Sequence, residues 1–251
     1  RESATNDSML KTFDEEISVT IDSDGVMLEY EAENEVVRGG IDISKEDSEM
    51  GSTPQGNSSF AGISFEVVNR SANPVVVGGQ TYATGDVVMT ITTDESGHAS
   101  TGSDVLPYGT YEIRESATNE SMLLTAPDQT VNVTDDGVIY EFTMADEVVR
   151  GGVLIEKRDL ESGLLTPLGG ASLDGTLFEI TNKSINAVYV NGALYQPGEV
   201  CATIEVVDGI AQTDARALPY GTYQMVESKP GEGYLHTDQA VRHFTIRQDG
   251  Q

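Results

Sequence analysis

Three polar residues in this chain stand where the strand period calls for apolar ones. In Ile41-Asp-Ile-Ser-Lys45, extended backbone sets Ile41, Ile43 and Lys45 on one face. In Tyr111–Glu115 the same period groups Tyr111, Ile113 and Glu115. In Val138–Asp146, the face made by Val138, Tyr140, Phe142 and Met144 is continued by Asp146. An amine and two carboxyls aimed at one interior are costly as free charges. Two readings fit them. One is a buried ion pair with a second acid beside it. The other is chemistry, because a low-dielectric interior favours the uncharged forms of amines and acids. A neutral lysine could then attack the side-chain carbonyl of Asp146, with Glu115 polarising that carbonyl and shuttling protons to the leaving group. The product is an amide (isopeptide) crosslink, with water released from Asp or ammonia from Asn.

The same residues recur in incomplete sets. L-P-Y-G-T-Y-E-I-R-E at 106–115 returns as L-P-Y-G-T-Y-Q-M-V-E at 218–227, and the chain opens on the last two letters of that phrase, Arg1-Glu2. Glu2, Glu115 and Glu227 stand 113 and then 112 residues apart. E-V-V-R-G-G at 35–40 recurs at 147–152, and S-F-E-V-V-N-R-S at 64–71 is answered by L-F-E-I-T-N-K-S at 177–184. The sequence therefore divides into the C-terminal fragment of a preceding repeat (1–36), a complete repeat (37–148) and a repeat without its last strand (149–251). Lys157, in phase with Val153 and Ile155, takes the slot of Lys45. Asn34, after Val26, Leu28, Tyr30 and Ala32, takes the slot of Asp146. Only the complete repeat holds all three partners. One bond, Lys45–Asp146, is expected, with Glu115 as its catalyst, while Glu2, Glu227, Lys157 and Asn34 are idle equivalents. Strand donation from Val26–Asn34 of one copy to the open repeat of another is a less favoured outcome.

The elements that must position these groups read as strands. Gly62–Val68 alternates, Val87–Thr92 and Val200–Val206 are rich in β-branched residues, and Asp-Gly or Ser-Gly turns at 24–25, 96–97, 136–137, 208–209 and 249–250 separate such runs. With no amphipathic helix of useful length, each repeat is expected to be an all-β sandwich. The balance of 42 acidic to 14 basic residues, a formal charge of −28, argues against nucleic acid and anionic membrane surfaces as partners. No run is apolar enough to insert in a membrane as a helix. A single cysteine, Cys201, excludes an intrachain disulfide framework. Its β-branched neighbours and its alignment with Val88 mark it as a small buried apolar residue. The Asp-rich turns at 22–25 and 134–137 lack the remaining ligands of a calcium loop. His98, His236 and His243 have no repeated partners. No metal, no cofactor and no external enzymatic substrate is expected.

The order G-[hydrophobic]-x-[hydrophobic]-x-K-x-D (Gly40–Asp47, Gly152–Asp159), L-P-x-G-x-Y-x-x-x-E (106–115, 218–227) and a closing strand ending in Asn or Asp (Asn34, Asp146) resembles the Cna B-type, SpaA-like domains of prealbumin-like fold. The Pro-Gly-Tyr stretch at 228–235 resembles that family too. The resemblance covers essentially the whole chain. It implies a tandem Greek-key β-sandwich and an autocatalytic Lys–Asn or Lys–Asp isopeptide with a Glu catalyst. It also implies a stalk module of a pilin or wall-anchored adhesin on the surface of a Gram-positive bacterium, whose partners are neighbouring repeats. Two departures stand out: Asp146 replaces the more usual Asn, and Ser48–Gly62 is a longer, Gly/Ser-rich linker than the family's compact form. The alternative function is a ligand-binding adhesin module, with Asn69–Tyr82 and Asn182–Tyr195 as the segments that would meet a host ligand.

Overall fold

The computed structural model describes residues 2, 4–12, 16–236 and 241–251; Arg1, which with Glu2 matches the end of the repeated phrase, lies outside them. Every regular element is a strand. The first repeat runs β1 (Arg38–Asp47), β2 (Ser64–Asn69), β3 (Val75–Val77), β4 (Gln80–Tyr82), β5 (Val87–Thr92), β6 (His98–Ser100), β7 (Leu106–Pro107), β8 (Gly109–Ala117), β9 (Gln129–Val133) and β10 (Ile139–Asp146). The second repeats that order as β11 (Arg150–Gly151), β12 (Leu154–Glu156), β13 (Leu177–Asn182), β14 (Val188–Val190), β15 (Ala193–Tyr195), β16 (Val200–Glu205), β17 (Ile210–Gln212), β18 (Leu218–Pro219), β19 (Gly221–Lys229) and β20 (Arg242–Ile246).

In the first repeat, β1 lies between β10 and β6 in one sheet, and the order β5-β2-β8-β9 makes the other. The alternation read from the sequence is the burial observed: Ile41, Ile43, Phe65, Val67, Tyr111, Ile113, Val131 and Met144 fill the space between the sheets. Each such side chain contributes about 1.5–3 kcal/mol by leaving water. First and last strands pair in parallel over their length, from Gly40↔Ile139 to Asp47↔Asp146. On its other side β1 lies close to the segment after β6, an approach that depends on glycine, since a Cβ on Gly40 would lie 1.7 Å from the carbonyl oxygen of Gly102. The repeated Leu-Pro-Tyr-Gly-Thr-Tyr phrase has a polar reason: the fully buried Tyr111 donates its hydroxyl to Pro107 O at 2.7 Å, as Tyr223 does to Pro219 O at 2.7 Å.

The second repeat keeps the sheet β16-β13-β19-β20. Its opening strand is broken into β11, which pairs with β18, and β12, which pairs with β17 on one side and with no described residue on the other. Gln251 O accepts from Gly152 N at 2.9 Å, as Val138 O accepts from Gly40 N at 2.8 Å. The described chain therefore reaches the entrance of the closing-strand slot without filling it. The Asp208-Gly209 turn has positive φ at both residues, 52° and 79°, as a two-residue hairpin loop requires. Cys201 is buried, and burial pushes its thiol up to about 11, so it is an inert core residue.

The tail departs from the strand expected at Val26–Asn34. Those residues are exposed and in no strand, and among the described residues of the tail the one ladder contact is the bridge Met9↔Val36. A closing strand needs an opening strand beside it, and among the described residues the tail has none.

Candidate functional site

Lys45 stands on β1 and Asp146 at the end of the adjacent β10, both on the inward face, while Glu115 reaches from β8 in the opposite sheet. A register shift between Ser64 and Phe65 sets Phe65 opposite Glu115, and the Phe65 ring centroid lies 6.0 Å from Lys45 Nζ. Nζ is 2.8 Å from Glu115 Oε2, to which it donates a hydrogen bond, and 2.8 Å from Asp146 Oδ2. All three side chains are 0% exposed. Asp146 Oδ2 accepts no hydrogen bond even at that distance. Glu115 Oε1 is likewise without a partner.

Burial pushes the Glu115 carboxyl up to about 7; the hydrogen bond and charge of Lys45 oppose the rise, and Asp146 adds to it. Glu115 thus keeps its proton to higher pH than an exposed glutamate does.

One part of the site has no signature in residue type. Asp146 Oδ1 accepts from the backbone amides of Thr125 at 2.9 Å and Ala126 at 2.8 Å, and from Thr125 Oγ1 at 3.3 Å. Two amides converging on one carboxyl oxygen form an oxyanion cradle. The arrangement thus has a nucleophile, a proton carrier of raised pKa, an electrophilic carboxyl, and donors for the oxygen on which charge would develop.

The incomplete copies keep fragments of this geometry. Lys157 Nζ and Glu227 Oε2 are 2.9 Å apart, with side chains 23% and 21% exposed, and no described carboxyl or amide stands in the place of Asp146. In the tail, Asn34 Nδ2 donates to Glu2 Oε1 at 2.9 Å in an exposed setting without a lysine. The two segments considered for ligand contact are braced as scaffold. Asn69 and Asn182 are wholly buried, and each amide donates to two carbonyls of its own hairpin, Asn73 O and Tyr82 O in the first repeat, Asn186 O and Tyr195 O in the second. Among the described residues, no three His, Cys, Asp or Glu side chains gather as metal ligands.

The segment expected to be a long linker is ordered and packed. Asp47 Oδ1 accepts from Glu49 N and Met50 N, and the buried Gln55 donates to both Asp47 oxygens and to Glu49. Burial raises the Asp47 carboxyl against the pull of those donors. Beyond Gln55 the loop leaves its own repeat and lies against the next one. Gly56 N donates to Ala187 O at 2.9 Å and Asn57 N to Tyr220 O at 3.0 Å.

Residues 39–148 match the profile of the family described as SpaA, prealbumin-like fold domain. No curated protein matches the chain. Among solved structures, the Bacillus anthracis TIE protein is 24% identical with a TM-score of 0.56, over 86% of this chain and 33% of that one. A streptococcal ancillary pilin is 22% identical with a TM-score of 0.35, over 85% and 60%. The shaft pilin SpaA of Lactobacillus rhamnosus GG is 14% identical with a TM-score of 0.34, over 86% and 95%. The chain spans about a third of the length of the first of these. Residues 39–148 thus match the SpaA prealbumin-like fold domain, and the second repeat shares the sequence phrases of the first and, from β13 to β20, the strand order of β2 to β9.

Proposed function

We propose that the first repeat is a self-crosslinking stalk module of a Gram-positive surface protein of the pilin or adhesin type, closed by one isopeptide bond between Lys45 and Asp146. The observation that carries this reading is the fully buried Lys45 amine, 2.8 Å from both Glu115 and Asp146. Neutral Lys45 Nζ attacks Asp146 Cγ, and Oδ1 takes the negative charge under the amides of Thr125 and Ala126. Glu115 relays to Oδ2 both protons that the Lys45 ammonium sheds, one before the attack and one after it, and Oδ2 leaves as water. The C–N bond formed replaces the C–O bond broken, and no cofactor or oxidant is needed.

The bond ties the first strand of the repeat to the last. Tension on the repeat's ends then loads a covalent link rather than a ladder of hydrogen bonds. Closing a loop of roughly 100 residues is worth about 4–5 kcal/mol by chain entropy. Such a bond serves a tandem array that has no disulfides, and the SpaA domain match supports a cell-surface module. A host-ligand role would use Asn69–Tyr82 or Asn182–Tyr195, and the latter is partly covered by the loop of the preceding repeat. Intact mass tests the proposal: the protein should weigh one water less than its sequence, and Lys45→Ala should restore that water. A full sequence mass in the unmutated protein would defeat it.

A further inference from the structure

We propose that the Thr-Pro-x-Gly loop after the opening strand is a clasp between repeats, and that its second copy, at 166–170, docks on the first repeat of a second copy of this chain. Thr53-Pro54-Gln55-Gly56 recurs as Thr166-Pro167-Leu168-Gly169. The two glycines adopt one conformation, with φ of 58° and 57°.

The first copy is seen at work. Besides the two amide donations already described, Gly56 O accepts from Asn186 N at 2.9 Å, so the loop makes three backbone bonds to the next repeat. Side chains add three more: Gln55 Oε1 accepts from Tyr189 N at 3.0 Å, Asn57 Oδ1 from Ile185 N at 2.9 Å, and Asn57 Nδ2 donates to Thr222 Oγ1 at 2.9 Å. Glu49 pairs with Arg150, and Tyr220 donates its hydroxyl to Glu120 at 2.6 Å. The contact admits no side chain at the glycine, since a Cβ on Gly56 would lie 2.2 Å from Tyr220 O.

The second copy presents the same glycine conformation with no residue of another repeat, among those described, bonded to it. Leu168 is 45% exposed where Gln55 is fully buried, and a Cβ on Gly169 would meet no atom within 4 Å. A matching receiver exists at the other end of the chain. Asn73, Pro74, Val76 and Tyr108 of the first repeat align with Asn186, Ala187, Tyr189 and Tyr220, and all four are exposed. Asn73 N, Pro74 O and Tyr108 O have no backbone partner among the described residues. The tail holds this receiver in the setting of the observed junction, because Val37 N donates to Ser8 O and Tyr108 N to Val37 O as Val149 N does to Ser121 O and Tyr220 N to Val149 O.

The occupant follows from these pairs. Gly169 N to Pro74 O, Asn73 N to Gly169 O and Gly170 N to Tyr108 O rebuild the backbone bonds. The side-chain bonds of Gln55 and Asn57 are replaced by apolar contact of Leu168 with Val76. Fewer bonds and a charge of −28 on each chain make the association weak and favoured by salt, which screens the repulsion.

Sedimentation and amide NMR of the full chain at increasing concentration and moderate salt test the clasp. Concentration-dependent self-association is expected, with shift changes confined to 166–172, 73–76 and 108–110. Gly169→Asn, which tolerates the left-handed backbone, should weaken it at least about tenfold by steric exclusion. Shift changes centred on 26–34 and surviving Gly169→Asn would mean strand donation instead, and would overturn the proposal. A strictly monomeric chain with no shifts at the named residues would overturn it as well.

Discussion

The two repeats carry the same lysine and the same glutamate, at nearly the same separation, in different solvents. Lys45 and Glu115 lie 2.8 Å apart and are sealed. Lys157 and Glu227 lie 2.9 Å apart, with about a fifth of each side chain exposed. The difference is the closing strand. β10 brings Asp146, dries the pocket and pairs with an opening strand continuous over ten residues, against two and three in the separate β11 and β12. In the proposed mechanism reactivity belongs to a completed sandwich, not to a residue pair, and the tail's exposed Glu2–Asn34 contact stands on the other side of that comparison.

The sharpest way to break the comparison is to remove one partner from each pair. Lys45→Ala leaves two buried acids without their cation and should cost about 3–5 kcal/mol as an unpaired buried charge. It should also lose about 4–5 kcal/mol of loop closure. Lys157→Ala removes a water-exposed pair and should cost under about 1 kcal/mol. Chemical denaturation followed by probes in each repeat measures both. A similar cost at the two sites would contradict the account.

Next in size is the catalyst. Glu115→Ala should abolish crosslinking, while Glu227→Ala should still weigh one water less than its own sequence. A third test is pH. The raised Glu115 carboxyl holds a proton in the folded, uncrosslinked protein up to about 7, whereas the unfolded chain releases it near the ordinary value of 4.5. Its contribution to stability is therefore present at low pH and fades as pH rises across that window. Crosslinking of freshly refolded protein should slow as pH rises through about 7, because the protonated carboxyl is the proton donor. A rate that climbs steadily through that range would assign the acid elsewhere. The smallest expected effect is at the cradle. Thr125→Val removes the weak hydroxyl contact and keeps both amides, so the rate should fall only a few-fold.

Much of this site was legible in the sequence, because strand period alone sets Lys45, Glu115 and Asp146 on inward faces and the repeats show which copy is complete. The cradle at Thr125 and Ala126 was not, since backbone amides leave no mark in residue type. Ser48–Gly62 read as a linker because Gly, Ser, Gln and Asn look solvated on their own, and its partners at Ala187, Tyr189 and Tyr220 are far away in sequence. The signal that could have found it was the recurrence of Thr-Pro-x-Gly. Val26–Asn34 has the alternation of a strand, yet alternation specifies a face and not a neighbour, and no neighbour is described for it.

Intact mass spectrometry with fragmentation of the peptide carrying Lys45 tests the central claim most directly. The account predicts a chain lighter by one water, with Lys45 joined to Asp146 and Lys157 unmodified. A chain of full mass, or a crosslink at Lys157 in place of Lys45, would contradict it.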